Sequence, residues 1–402
     1  MVNLLNKAFI IFGIGLLFLN LYIYNYMFFC KWKFNQDVET TNIIMLGDPQ
    51  MEGDFRIRRE GLKGRYNIYF NDNYFKHIIS NIEYYLNPSI VVVLGDLFSS
   101  QYIGDEEFNK RTERYRNIFS PLKDHTKLIN VTGNHDVGYA NEVSEDRINR
   151  FENAFGKIND KFFVGGHLIG VVNSINLDSS NDEKLQSDAW THLKELKHDA
   201  ESTQSPLIIV THIPLFKDID SIDRTLPIYL QYPWLCRESY QVKHTPNGHV
   251  KEQTMLTKET TDFILNEIKP LFVFNGHDHD GCIYQFPLNP SGFNTTEYTI
   301  RSMMGGYGGY SALFEFRKIN NNNNYNSNNQ NVNNNNENNN SGDKKEIFEY
   351  QFKLCPFLDT KYINIIFGVN AGWAILFLLF NIIYYLYNRY LIKKQQALKK
   401  IK

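Results

Sequence analysis

Five short clusters in this sequence join carboxylate, amide and imidazole side chains. They are Asp48 with Gln50 in GDPQ, Asp96 in GDLF, Asn134 with His135 and Asp136 in GNHD, His212 before Ile213-Pro214, and His277 with His279 in GHDH. Carboxylate oxygen, amide oxygen and imidazole nitrogen together suit Mn2+, Zn2+ or Fe2+. Two such ions about 3.5–4 Å apart need an anion between them to offset their repulsion, and Asp96 is the candidate bridge. On an extended strand end, residues i and i+2 point the same way. Asp48 and Gln50 are therefore expected to approach one ion, and His277 and His279 to supply one imidazole to each ion.

Each cluster follows an apolar run: NIIML before GDPQ, SIVVVL before GDLF, KLINVT before GNHD, SPLIIVT before His212, and PLFVFN before GHDH. LIGVVNSINLDS is a sixth run of the same kind. Runs of this length and composition predict buried strands. Helical spacing is expected over Phe70 to Leu86, Glu106 to Phe119, Asp188 to Leu196 and Thr260 to Ile268. Strand alternating with helix defines an α/β domain, and sites in such domains form beyond the carboxyl ends of the strands. The stretch from Asn320 to Asn340 is mostly asparagine. It has too little apolar surface to offset its ordering entropy and reads as a disordered insertion. The runs YSALFEFRKI and KEIFEYQFKL on either side of it are expected to pair as strands, and β-rich hairpins near this end suggest a second sheet. The folded domain is assigned to 42–356.

Other polar residues take plainer readings. His77, His125, His167, His192 and His198 are expected on the surface. His244 and His249 lie in a polar loop and are left open between solvent and substrate. Arg56, Arg58 and Arg59 read as solvated charge, although a guanidinium beside the first cluster is able to hold a phosphate. GGYGGY, Gly305 to Tyr310, predicts tight backbone near the site and lacks the lysine of a phosphate loop. Four cysteines do not make a disulfide scaffold, but Cys236 with Cys282 is a possible bridge. Asn130, Asn294 and Asn339 head N-glycosylation sequons; Asn130 is expected buried and Asn294 in a loop.

Both ends are apolar. Ala8 to Phe29 and Tyr362 to Tyr387 contain no charged residue and are long enough to cross a bilayer as helices. The spans are assigned to 8–30 and 362–387, with a short cytoplasmic 1–7. The tail 388–402 carries Arg389, Lys393, Lys394, Lys399, Lys400 and Lys402, and this positive bias predicts a cytoplasmic tail and a luminal central domain. The chain ends KKIK, which is similar to the dilysine signal read by coat proteins. With 42 Lys+Arg against 44 Asp+Glu, nothing points to a nucleic-acid partner.

The ordered set GDPQ, GDLF, GNHD, His212 and GHDH resembles the calcineurin-like metallophosphoesterases. The resemblance covers about Asn42 to Arg317 and the strand after the asparagine tract. It implies an α/β fold, a four-layer α-β-β-α sandwich with one transmembrane helix near each end. It implies two divalent metal ions, most naturally Mn2+, with Zn2+ or Fe2+ as alternatives. Carried onto this sequence, Asp48 and His279 bind the first ion, Asp96 bridges, and Asn134, His212 and His277 bind the second. His135 binds no metal and gives a proton to the leaving oxygen, with Asp136 orienting it. The family's usual histidine is Gln50 here, a weaker ligand or an outer partner. No tyrosine ligand follows Asp96, which argues against a tyrosinate–iron site. DPQ also looks like a narrower membrane-bound branch that remodels glycosylphosphatidylinositol (GPI) anchors in the endoplasmic reticulum and early Golgi. That implies a phosphodiester hydrolase removing ethanolamine phosphate from a lipid-linked substrate, the GPI-anchored proteins. The alternatives are another lipid or small phosphoester in the secretory lumen, and a non-catalytic cargo adaptor that retains the fold.

Overall fold

The computed structural model describes residues 2–34, 39–319 and 346–400. The asparagine tract, Asn339, Ile401 and Lys402 lie outside them. The chain divides into a terminal unit, 1–26 with 358–402, and a central unit, 27–357.

In the terminal unit, α1 (Val2–Tyr24) packs on a long carboxyl-terminal helix, Thr360–Lys400. Both are long and apolar enough to cross a membrane. Asn20 and Asn370 donate to one another's amide oxygens, at 3.1 and 2.8 Å. Inside a bilayer such a pair would be worth keeping, because neither amide would have water to turn to. The Trp373 Nε1 donates to Phe9 O, and Phe9 packs on Phe377 and Phe380. The helices exceed the expected spans: α1 begins at Val2, and the second helix continues through the basic tail to Lys400.

The central unit begins with β1 (Thr40–Leu46), whose last six residues are buried. It continues through α2 (Asp54–Glu60), α3 (Leu62–Asn81) with a wider turn over Ile82–Leu86, β2 (Ile90–Val93), α4 (Asp105–Phe119) and β3 (Lys127–Asn130). Next come a single turn α5 (Asn134–Val137), α6 (Glu145–Phe155), β4 (Asp160–Val164), β5 (His167–Val171), α7 (Glu183–Thr203) and β6 (Leu207–Val210). After α8 (Pro227–Gln231), β7 (Val242–His244) and β8 (Val250–Gln253) form a small hairpin. The chain then makes α9 (Lys258–Phe263), β9 (Phe272–Asn275), β10 (Cys282–Gln285), β11 (Thr296–Thr299), β12 (Tyr310–Lys318) and β13 (Phe348–Pro356).

Two mixed sheets result. The first has the order β13-β12-β1-β2-β3, with β1, β2 and β3 parallel; the second has the order β10-β11-β9-β6-β5-β4, with β5, β6 and β9 parallel. Between them lies the core: Ile43, Met45, Val92 and Phe314 from the first sheet, Ile169, Ile208, Val210 and Phe274 from the second. Parallel strands buried on both faces read as continuous apolar runs, which is why all six runs are legible. Helices cover the outer faces. On one side, Tyr115 of α4 donates its hydroxyl to Asn130 of β3. On the other, Leu193 and Leu196 of α7 are fully buried, each contributing about 1.5–3 kcal/mol of apolar burial. The expected terminal hairpin forms, with Leu313 opposite Lys353 in the β12–β13 ladder.

Several surface readings are corrected here. His192 on α7 turns inward and bonds to Val171 O at 3.0 Å. His167 is fully buried between Gly165 O and the Tyr350 hydroxyl. His192 lies on the inner side of a largely polar helix, whereas His167 opens a strand that is buried throughout. Asn130 is buried, as expected. Cys236 and Cys282 form a disulfide, and a second, unanticipated one joins Cys30 to Cys355.

Candidate dimetal centre

The five clusters meet. Asp96, His212 and His277 bring one donor atom each within 4.8 Å of one another, and so do Asp48, Asp96 and His279. Asp96 is common to both groups. The sheet packing achieves this: β1, β2 and β3 deliver Asp48, Gln50, Asp96 and Asn134, while β6 and β9 deliver the three histidines from across the sandwich.

The route differs from the extended strand ends that the spacing suggests. The strands stop at Leu46, Val93 and Asn275. Beyond them Asp48, Gln50, Asp96 and His277 take positive φ values of 33°, 37°, 50° and 70°. Left-handed backbone at a non-glycine residue costs free energy and clusters at functional sites. Here it folds each loop back so that the side chain faces the neighbouring loop. Two glycines allow the approach. A Cβ on Gly95 would lie 2.3 Å from the His212 ring, and one on Gly133 would lie 2.2 Å from Asp96.

Hydrogen bonds aim the imidazoles. His212 Nδ1 lies 2.7 Å from Leu94 O, so Nδ1 carries the proton and donates. Its Nε2 is left as a lone pair, 3.0 Å from Asn134 Oδ1 and 3.3 Å from Asp96 Oδ1. His277 uses the opposite atoms: Nε2 donates to Gln253 O at 2.8 Å, and Nδ1 faces His212 Nε2 at 3.2 Å. A second hydrogen bond that fixes the tautomer is the usual support for a ligating histidine. The His277 backbone N–H donates to both Asp48 oxygens, at 3.2 and 3.0 Å. Ser302 holds the same loop from behind, donating its hydroxyl to Asp48 O.

The donors fit divalent ions. Burial holds the His212 imidazole below its usual range, and burial with the neighbouring His212 brings His277 down to about 3. Both rings are therefore neutral and have lone pairs to give. Burial, then the charge of Asp96, pushes the Asp48 carboxyl well above the carboxylate range. Two buried carboxylates this close repel one another, and a cation between them removes the conflict. Gln50 Nε2 lies 3.0 Å from Asp96 Oδ2 and 3.1 Å from His279 Nε2. A half-turn of that amide presents its oxygen to the same point.

His135 stands at the rim. Its side chain is 38% exposed, its Nε2 lies 4.0 Å from Asp96 Oδ2, and its backbone N–H donates to Asp96 Oδ1 at 2.8 Å. The expectation that Asp136 orients this ring is corrected. The Asp136 carboxylate turns away and accepts from Gly133 N at 2.8 Å and Phe98 N at 3.3 Å, holding the loop backbone. The group at His135 Nδ1 is the amide of Gln101, at 3.1 Å. Nothing in the sequence marks Gln101, which lies in a loop with no motif. Tyr307, against His279 with ring centroids 4.9 Å apart, lies in the GGYGGY stretch singled out for tight backbone. Arg56 and Arg59 pair with Glu60, and Arg56 also with Glu52. His244 and His249 lie at the far end of the β7–β8 hairpin, whose near end supplies Gln253 O.

Comparison with known proteins gives a consistent picture. Residues 41–281 match the family model described as calcineurin-like phosphoesterase. An uncharacterised protein of Schizosaccharomyces pombe is 29% identical over 322 residues, covering 69% of this chain and 70% of that one. Protein TED1 of Saccharomyces cerevisiae is 26% identical, covering 68% of this chain and 74% of its own length. Metallophosphoesterase 1 of Danio rerio is 26% identical over 49% of this chain and 53% of that protein, about half of each.

Proposed function

The chain belongs to the calcineurin-like phosphoesterases, and from that premise we propose that it is a membrane-anchored phosphodiesterase acting on a lipid-linked substrate, ethanolamine phosphate on the glycan of GPI anchors. The chemistry of the class is phosphoester hydrolysis at a dimetal centre. The observation that carries the reading is the meeting of Asp48, Asp96, His212, His277 and His279 in two groups that share Asp96. Asp48, Gln50, Asp96 and His279 would hold one ion, and Asp96, Asn134, His212 and His277 the other. The chemistry such ions supply is polarisation of a phosphoryl oxygen and acidification of water.

The remaining steps belong to the chain's own residues. Leu94 O and Gln253 O keep the ligand tautomers fixed. His135 Nε2 faces the centre from the rim and is positioned to give a proton to the departing alkoxide, a poor leaving group without one. The Gln101 amide holds the far side of that ring.

The GPI reading is supported by the resemblance of the DPQ loop to the membrane-bound branch and by the two apolar terminal helices. Two disulfides agree with an oxidising compartment, the secretory lumen. In this reading the domain is luminal, the protein cycles between endoplasmic reticulum and early Golgi, and coat proteins read the KKIK end.

The test is incubation of the full, reconstituted chain with a GPI glycan bearing ethanolamine phosphate and added Mn2+, read by mass spectrometry. Loss of one ethanolamine phosphate, absent with Asp96→Asn, is the expected result. An unchanged glycan alongside active turnover of bis(4-nitrophenyl) phosphate would leave the phosphodiesterase and remove this substrate.

A further inference from the structure

The segment between the first and second site loops, Asp54 to Leu86, gathers several large apolar side chains on its outer face. Leu62 is 83% exposed, Tyr66 57% and Tyr69 69%, at helical spacings of four and three that form one stripe along α3. Tyr84, 78% exposed, returns on the same face in the wide turn, after the polar Asn73, Lys76 and Ser80, and Phe55, 65% exposed, precedes the stripe on α2. Large apolar and aromatic side chains concentrated on one exposed face mark an interaction surface.

Charge is sorted on the same segment. Arg58, Arg59, Lys63 and Arg65 are exposed beside the stripe. Arg58, Lys63 and Arg65 form no ion pair among the described residues. Of the segment's acidic groups, Asp72 pairs with Arg114 at 2.7 Å, Glu60 is neutralised by Arg56 and Arg59 of the same helix, Glu83 is buried, and Asp54 opens α2 with its backbone N–H donating to Glu107 at 2.9 Å. The face is thus aromatic and cationic together, the composition of an element lying in a headgroup layer.

A contact within the domain says which layer. Phe28 and Phe29 close the apolar amino-terminal segment, where a spanning chain must leave the bilayer. Both are more than half exposed. Phe28 packs on Tyr85 with centroids 5.8 Å apart, and Tyr85 on Tyr84 at 4.8 Å. One end of the stripe therefore stands at the point of exit. The other end joins α2, which begins four residues after Gln50 at the metal centre.

We propose that the outer face of α2 and α3 is a membrane-binding surface, lying in the headgroup layer with Leu62, Tyr66 and Tyr69 inserted and Arg58, Lys63 and Arg65 on anionic phospholipid. It gives the catalytic loops a fixed approach to lipid headgroups. The inference rests on the reading that the terminal helices cross a bilayer, and the experiment separates the two.

All four native cysteines are paired, so single cysteines placed in the full chain are uniquely labelled with an environment-sensitive fluorophore. The sites are Leu62→Cys and Tyr69→Cys on the stripe, Ile11→Cys in α1, and Asp188→Cys on α7. The protein is reconstituted in phosphatidylcholine nanodiscs, with and without phosphatidylserine and nitroxide lipid. Blue-shifted emission quenched by nitroxide lipid is expected at 62, 69 and 11, and neither effect at 188. The shift at 62 and 69 should grow with phosphatidylserine. Replacing Arg58, Lys63 and Arg65 by Gln should abolish that growth.

Quenching at 11 without quenching at 62 and 69 overturns this proposal and leaves the spans intact. Absence of quenching at 11 overturns the spans and the proposal with them. Equal quenching at 188 also overturns it, because the surface would then have no special face. In the same nanodiscs, Leu62→Glu with Tyr69→Glu should lower kcat/KM roughly ten-fold on a lipid-linked diester and leave soluble bis(4-nitrophenyl) phosphate unchanged. Equal losses on both would reduce the face to a structural element.

Discussion

Two buried histidines, His212 and His167, link the two sheets from opposite ends of the sandwich. His212 follows β6 at the carboxyl ends and donates to Leu94 O of the facing sheet. His167 opens β5 at the amino ends and meets the Tyr350 hydroxyl of β13 at 2.8 Å. Burial is total for both. The difference lies in the second nitrogen. His167 has Gly165 O at Nδ1 and is enclosed by Phe316 and Phe348, so both nitrogens are satisfied by groups already present. His212 Nε2 faces other acceptors, Asn134 Oδ1 and Asp96 Oδ1. A ring with both nitrogens answered is a structural strut. A ring whose lone pair meets further lone pairs calls for a cation.

The largest test of that contrast is at His212. His212→Ala should lower bound metal and reduce diester hydrolysis roughly a thousand-fold or more, with Asp96→Asn as a second variant of the same centre. Wild-type metal stoichiometry and rate in both would erase the distinction. His167→Phe should instead leave kcat within a few-fold of wild type and change the pH dependence of stability.

The sign at His167 follows from burial, which brings its ring down to about 4 from an ordinary 6.5. Below pH 6.5 the unfolded chain takes up a proton that the native ring refuses. Stability is thus fully present above 6.5 and lost as pH falls toward 4, on the order of 3 kcal/mol in all. Melting midpoints of wild type should fall more steeply over that interval than those of His167→Phe; parallel curves would show that this ring titrates alike in both states.

The smallest effect sharpens the picture at the rim. Gln101→Ala should slow hydrolysis of an alkyl phosphodiester roughly ten-fold, the scale of a misaligned proton donor. A nitrophenyl diester, whose leaving group needs no proton, should be turned over almost normally. Equal losses on the two substrates would mean that Gln101 supports the loop and not His135.

The legible parts of the sequence and the illegible ones divide along this same line. Strand runs such as SIVVVL and PLFVFN are apolar on both faces, so they announce themselves. The ligand-bearing residues at their ends are polar where the pattern demands apolar, and that contradiction is a signal. Geometry between loops leaves no such trace. The left-handed turns at Asp48 and His277 depend on loops more than two hundred residues apart. Asp136 looks like a partner for His135 because it is adjacent, but the helical turn carries its side chain to the opposite side. Gln101 does that work from an unremarkable loop. His192 points at the sheet from a largely polar helix, and His167 opens a strand buried throughout, so the polar character of histidine is by itself a poor guide to exposure.

The bond between Cys30 and Cys355 spans 325 residues of sequence, and this orders events at the ribosome. Cys30 emerges first, and its native bond cannot form until almost the entire domain has been translated. Over that time β1 also has one bare edge, because its neighbour β12 and then β13 arrive last. A nascent chain halted after β3 and before β12 therefore displays a bare sheet edge and a Cys30 without its native partner together, two marks by which an incomplete copy is distinguishable from a finished one.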